Sequence, residues 1–336
     1  MRDSKVVFAG LAVLSLLSLF LSLYTGSVRI SPLEVSKCLL YGLKRSLGLG
    51  GGLEPRYFFI VWELRLPRAL LAYLVGMSLA SAGVASQALF KNPMADPYII
   101  GISGGASIGA VLGFIYAPSH IPELAFLFAL GSVYLVYRVS KVDGRVPVDT
   151  LLLAGIAFGF MAGAITSYLV LTLGSTAHLT YMWLMGSFNG SDWSKVQEMA
   201  IVTAFGLVFL FWKWRELNLL LLGEEGVALG LEVDKFRKLL IIVISLMTAV
   251  AVATAGIIGF VGLISPHIAR LLVGPNHKRL TPNAAVFGGF LMVFSDIIAR
   301  TVAKPNEIPV GIVTSIIGGG FFLYLLTKHK RGELRA

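Results

Sequence analysis

Few residues in this chain of 336 are spaced to make or break a bond. The five histidines, His120, His178, His267, His277 and His329, are scattered and form neither HExxH nor another ligand spacing, which argues against a resident metal. Cys38 stands alone, with no disulfide partner and no CxxC companion. There is no GxSxG-like elbow for a nucleophilic serine and no GxxxxGK(S/T) loop to cradle a nucleotide. The chemistry left is recognition by charge and shape, and no enzyme activity is expected.

Three clusters could carry such recognition. In Arg65-Leu66-Pro67-Arg68, Pro67 suits the first turn of a helix. Two cations there would oppose the helix dipole, at a cost of about a few tenths of a kcal/mol unless an anion sits close. An acidic partner offsets that; arginines snorkelling to lipid phosphates or pairing with Glu63 are the competing reading. The second cluster is the run from Leu217 to Leu231, between Arg215 and Lys235. Short helices separated by Gly223 and Gly230 would form a knob able to enter a groove on a cytoplasmic partner. The alternative is an amphipathic helix resting on headgroups, which Glu224 and Glu225 disfavour beside anionic lipid. Third, Asp296 and Arg300 stand at i,i+4, so an intrahelical pair is their default.

What must position these residues is a set of membrane helices. Only 14% of the chain is charged against 56% hydrophobic, and uncharged apolar runs recur from Leu11 to Leu326. About 20 apolar residues cross a bilayer core of roughly 30 Å as a helix. The chain is therefore expected to be all-α and polytopic, with about ten spans. These fall near residues 6–24, 67–90, 98–116, 122–138, 148–173, 196–212, 239–256, 263–273, 282–299 and 308–327. One membrane domain, residues 1–336, accommodates them, with a cytoplasmic projection at about 215–237. The first run reads as a retained helix rather than a cleaved signal. Lys91, Arg138, Lys141, Arg145, Lys213, Lys235 and Arg237 fall in alternate connections, which puts those connections and both termini in the cytoplasm. Arg29, Lys37, Lys44, Arg45 and Arg56 then lie outside, in a long connection that bends the rule. The net charge of +10 is thus mostly topology, and nucleic acid is not an expected partner.

Leu239 to Pro266 is too long for one untilted span, and Gly256, Gly259 and Gly262 predict a helix, a turn and a short helix. Irregular backbone at that depth belongs beside protein or a watery passage. Ala82-Gly83 precedes Pro93 as Ala255-Gly256 precedes Pro266, at one spacing, which raises an inverted repeat as an expectation.

Taken together, these residues resemble a family. Leu64 to Arg68, Gln87 to Pro97, Gly101 to Ala106 and Trp183 to Phe188 look like the permease subunits of type II ABC importers for iron-siderophores, haem and vitamin B12. The likeness continues through Leu222-Gly223-Glu224, Leu229-Gly230, Gly259 to His267, Ser295 to Arg300 and Glu307 to Gly311, covering nearly the whole chain in order. The resemblance implies a homodimeric, multi-pass permease of the cytoplasmic (inner) membrane with its passage on the two-fold axis. It implies two separate ATPase subunits below, which hold ATP and Mg, a substrate-binding protein above, and no cofactor in this subunit. By the same likeness, Leu219, Leu222, Gly223, Glu224, Glu225, Ala228, Leu229 and Gly230 fall in the coupling element that enters the ATPase. Arg65, Arg68 and Arg300 fall where the family's outer arginines meet acidic residues of the binding protein. Gly159, Gly163, Gly311 and Gly318, on the fifth and tenth spans, are candidates to line the passage, with close helix packing as their other reading. Cargo stays open among siderophore, haem, corrinoid and oxyanion. The competing class, an ion-coupled secondary transporter or channel, predicts ionisable residues buried mid-span, and the spans as drawn have almost none.

Overall fold

The computed structural model describes residues 4–26, 28–49 and 53–330. Among them there are helices and links but no sheet. In order these are α1 (Ser4–Tyr24), α2 (Pro32–Ser46), a π-helical turn Phe59–Arg65 that runs into α3 (Leu66–Leu89), α4 (Ile102–Tyr116), α5 (Ile121–Val139) and α6 (Val148–Leu171). Then come α7 (Ala177–Leu184), α8 (Trp193–Trp212), α9 (Trp214–Leu221), α10 (Glu224–Ala228), α11 (Val233–Ala255), α12 (Val261–Val273), α13 (His277–Thr301) and α14 (Val310–Lys330).

Among the described residues seven helices are long and apolar enough to cross a membrane, and α4, α12 and α14 supply three shorter apolar stretches. These ten match the ten spans expected. α12, with 13 residues, rises only about 20 Å, so the irregular link before it completes the crossing. That link is the predicted break: α11 stops at Ala255, Gly256 takes φ 74°, and Phe260 caps α12 at φ 70°.

The anticipated echo is not a structural correspondence. Gly83 lies inside α3, where a Cβ would collide with the Gly262 carbonyl, whereas Gly256 ends a helix. What does repeat is a longer pattern. A long helix leads through a link closed by a left-handed residue, Gly101 or Phe260, into a short apolar helix and then a long one. The two links meet inside the protein, where Ile258 N donates to Tyr98 Oη at 3.4 Å and Pro97 packs against Gly262.

Helix α3 is the central post. It packs on α13, α8, α12 and α11, and Gly76 and Gly288 bring the α3 and α13 backbones into direct contact. Small residues permit such approach where lipid removes the hydrophobic drive between helices. The helix ends sort into two faces. Arg145 pairs with Asp234 at 3.8 Å and Asn218 with Asn276 at 3.2 Å on the face of α9 and α10; the end of α1, the start of α3 and the end of α13 meet on the other.

Two elements differ from expectation. The connection after α1 contains α2, whose Val35, Cys38 and Gly42 are buried while Leu33, Leu40 and Leu43 face outward. Helical backbone also begins near Phe59 rather than at Pro67. Arg65 and Arg68 therefore stand beyond the first turn, where the dipole acts, and the dipole argument for them does not hold.

Candidate functional site

At the outer end, five segments converge on two acidic and three basic side chains. Arg68 donates to Asp296 through Nε (3.2 Å to Oδ1) and Nη2 (2.9 Å to Oδ1). Its Nη2 also reaches Glu307 Oε2 at 2.9 Å, and its Nη1 donates to Asn189 Oδ1 at 2.9 Å. Asp296 is 1% exposed and bridges to Arg300 Nε at 3.0 Å, so the i,i+4 pair read from spacing is present. Arg300 turns its Nη2 to Ser22 Oγ at 2.7 Å and its Nη1 to Thr25 O at 3.0 Å. Arg65 donates to the carbonyls of Leu23 (2.7 Å), Tyr24 (3.2 Å) and Val28 (2.6 Å).

The physical logic is capping. The last carbonyls of α1 have no partners within their own helix and carry the negative end of its dipole. Arg65 and Arg300 supply donors and positive charge there from two other elements. Both are buried, 7% and 6% exposed. Their guanidinium groups are turned inward to α1. Arg68 keeps some solvent contact, its side chain 14% exposed, beside Glu307 at 35%. Asn189 and Glu307 were missed as its partners, because pairs separated by more than a hundred residues leave no periodic signal.

At the opposite face, α9 and α10 fold as the predicted pair of short helices, with Gly223 (φ 69°) between them and Gly230 (φ 89°) after them. Leu217 and Leu220 anchor α9 in the core. Leu222, Glu225, Val227, Ala228, Leu229 and Gly230 are exposed, and Leu219 is half-buried against the core. The Glu224 side chain lies outside the described residues. A groove of about 750 Å³ runs beside them, lined by Lys91, Arg145, Val227, Asp234 and Arg237.

The four passage candidates divide. Nothing stands within 4 Å of a Cβ placed on Gly159 or Gly163, so both leave α6 open on that side. Gly311 instead lies against the Met185 carbonyl and Gly318 against the Phe260 ring. Those two therefore make close helix contacts within this chain. On α14 the open positions are Gly319 and Gly320, which sequence reasoning passed over.

Among the described residues no group of three or more His, Cys, Asp or Glu could hold a metal ion. The arrangement holds helices together, leaves Gly159 and Gly163 of α6 uncovered, and exposes a projection opposite the ionic cluster.

The model of the FecCD transport family matches residues 14–328. The cobalamin import system permease protein BtuC of Halobacterium salinarum is 46% identical over 282 residues, covering 82% of this chain and 75% of the relative. The vitamin B12 import system permease protein BtuC of Escherichia coli is 35% identical over 327 residues, covering 96% and 94%. A solved structure described as an inward-facing conformation of a metal-chelate type ABC transporter superposes with a TM-score of 0.81 at 30% identity, covering 97% of this chain and all of the other. With helices in the order that the residues predicted and likeness over nearly its whole length, the chain belongs to the FecCD transport family and is a permease subunit of a type II ABC importer.

Proposed function

We propose that this permease carries a cobalamin-class metal chelate across the cytoplasmic membrane as a homodimer. Two separate ATPase subunits bind ATP and Mg at the α9–α10 face, and a substrate-binding protein delivers cargo at the face of the ionic cluster. The likeness to the two curated relatives named for cobalamin and vitamin B12 import is the observation that carries the cargo class. Siderophore and haem complexes are the chelates it displaces.

The transport chemistry is conformational. ATP closes the ATPases, their motion displaces α9 and α10, and the helices beside the passage change gates without covalent chemistry in this chain. A ligand drives such a cycle only through unequal affinity for its two states. Exposed Leu222, Val227 and Leu229 give the projection an apolar surface for an ATPase groove, with Glu225 as a charged contact. At the outer face Arg68 is the arginine placed to meet a partner, while Arg65 and Arg300 hold the rim that presents it. α6, with Gly159 and Gly163 uncovered, is the helix offered to the second copy and the passage.

The test is uptake of labelled cyanocobalamin into vesicles holding the permease, its ATPase and its binding protein. Uptake that needs ATP and survives a protonophore, with no uptake of a ferric siderophore, is the expected result. Siderophore uptake without cobalamin uptake overturns the cargo. Uptake that follows an ion gradient without ATP overturns the mechanism.

A further inference from the structure

The side chain of Asn218 projects from α9 to the first turn of α13. Its Oδ1 accepts from the His277 backbone N–H at 3.0 Å and contacts His277 Nδ1 at 2.7 Å. Its Nδ2 donates to Asn276 Oδ1 at 3.2 Å, and the same Asn276 oxygen caps Lys278 N at 3.0 Å. A helix leaves its first N–H groups without internal partners. Here one of them is satisfied by a side chain belonging to a different helix. A second contact ties the same two elements, since Lys278 Nζ lies 5.4 Å from the Trp214 ring of α9. His277 is 1% exposed, so losing its partner would strand a buried donor.

The far end of α13 carries Asp296 and Arg300. From His277 to Asp296 the helix rises about 28 Å. Over that length α13 runs as one continuous helix, with Pro282 inside it removing one backbone hydrogen bond near its start, and Gly288 holds it against Gly76 of α3, the helix that bears Arg68. α3 and α13 therefore form one packed pair, tied at one end to α9 and at the other to the ionic cluster. Across that cluster stand Asn189 and Glu307, which belong to the segments before α8 and before α14.

We propose that Asn218 is a positioning residue that fastens α9 to the start of α13, so that displacement of α9 moves the α3–α13 pair and shifts the Arg68–Asp296 cluster against Asn189 and Glu307. This rests on the coupling role proposed for α9 and α10. Energy delivered at one face thereby reaches the outer rim through a single helix pair, without any ligand spanning the two.

The experiment uses the full permease–ATPase complex in nanodiscs. Spin labels at Val302→Cys and Tyr181→Cys, in a Cys38→Ser background, report the distance across the outer face with and without a non-hydrolysable ATP analogue. Wild type is expected to shift by about 2 Å or more on nucleotide binding. Asn218→Leu is expected to lose that shift while still binding nucleotide, and Asn218→Asp, which keeps the acceptor facing His277, to retain it. An equal shift in wild type and Asn218→Leu overturns this inference alone. A wild-type complex with no nucleotide-driven shift overturns the coupling role and this inference with it. Should Asn218→Leu fail to assemble, Asn218→Ser, too short to reach Asn276 and His277 together, reads out the same loss.

Discussion

Asp296 governs the charge balance of the outer cluster. It sits between Arg68 and Arg300, all three in surroundings from which water is mostly excluded, and Glu307 supplies the second negative charge. Removing one partner of a buried pair leaves an uncompensated charge, at a cost of about 3–5 kcal/mol. Asp296→Asn should therefore lower thermal stability strongly, measured as the midpoint of unfolding in detergent, while a change at solvent-exposed Arg56 should leave it unaltered. Arg65→Glu should fail for a related reason, since a carboxylate would face the α1 carbonyls that Arg65 now caps. Glu307→Gln is the informative substitution for docking. It removes a negative charge at the rim and keeps Asp296 on Arg68, so an acidic binding-protein lobe should associate faster, about twofold to fivefold at low salt. Stopped-flow association at two ionic strengths measures it, and an unchanged rate would assign docking to other cations. The Asp296–Arg300 pair was legible because i,i+4 is a local rule. Arg68–Asp296 spans 228 positions and had no local rule to reveal it.

At the scale of elements, hydropathy placed all ten membrane helices and the break before α12, because span length and glycine clusters are written along the chain. It failed where one residue was read in isolation. Pro67 by itself predicts a first turn, yet α3 continues backward through a π-helical turn at Phe59–Arg65, and local widening of that kind accommodates the carbonyl left unpaired by a proline. Likewise α2 leaves little signal because its buried stripe is short: Val35 and Cys38 pack with Phe58, the residue before that turn, and with Val61, and Gly42 lies against Trp62. Two outcomes follow from these contacts. Cys38 is buried, and burial, reinforced by Glu34, pushes its thiol above the ordinary range. The thiolate is the reactive form, so Cys38 should resist iodoacetamide at neutral pH in the native permease and react once unfolded. Mass spectrometry of the alkylated chain checks this. Glycine substitutions should split by contact: Gly83→Ala drives a methyl into the Gly262 carbonyl and should sharply reduce folded yield. Gly131→Ala, in the interior of α5, meets open space and should be neutral, or stabilising by up to about 1 kcal/mol through helix propensity.

At the scale of the whole molecule, burial separates the inner helices α3, α13 and α11 from the outer helices α1, α5, α8 and α6. In the apolar window of α3, 78% of residues are buried, against 28% for α1, α5 and α8 and 17% for α6, so α6 is the least covered of a group of outer helices. Apolar exposure by itself does not distinguish a lipid-facing helix from one awaiting protein, because lipid tails are as apolar as leucine. Small-residue spacing does. Gly159 and Gly163 form a GxxxG step, which lets another backbone approach closely, and this chain puts nothing there. The sequence had nominated these two together with Gly311 and Gly318, since small residues look alike until their neighbours are known. Contact geometry separates them, since Gly311 and Gly318 meet Met185 and Phe260 within this chain. Ile156, one turn before the step, and Ser167, one turn after it, are exposed on the same face. If a second copy meets α6 there, single cysteines at Ile156 or Ser167 in a Cys38→Ser background should cross-link between copies in a bilayer. A cysteine at Leu17 of α1, also exposed and apolar, serves as the lipid-facing comparison. Cross-linking confined to the α6 positions, and reduced by Gly163→Leu, fits a two-fold contact built on the GxxxG step. Equal, weak cross-linking at all three positions would mean that lipid covers α6, and the homodimer would then have to form through another surface.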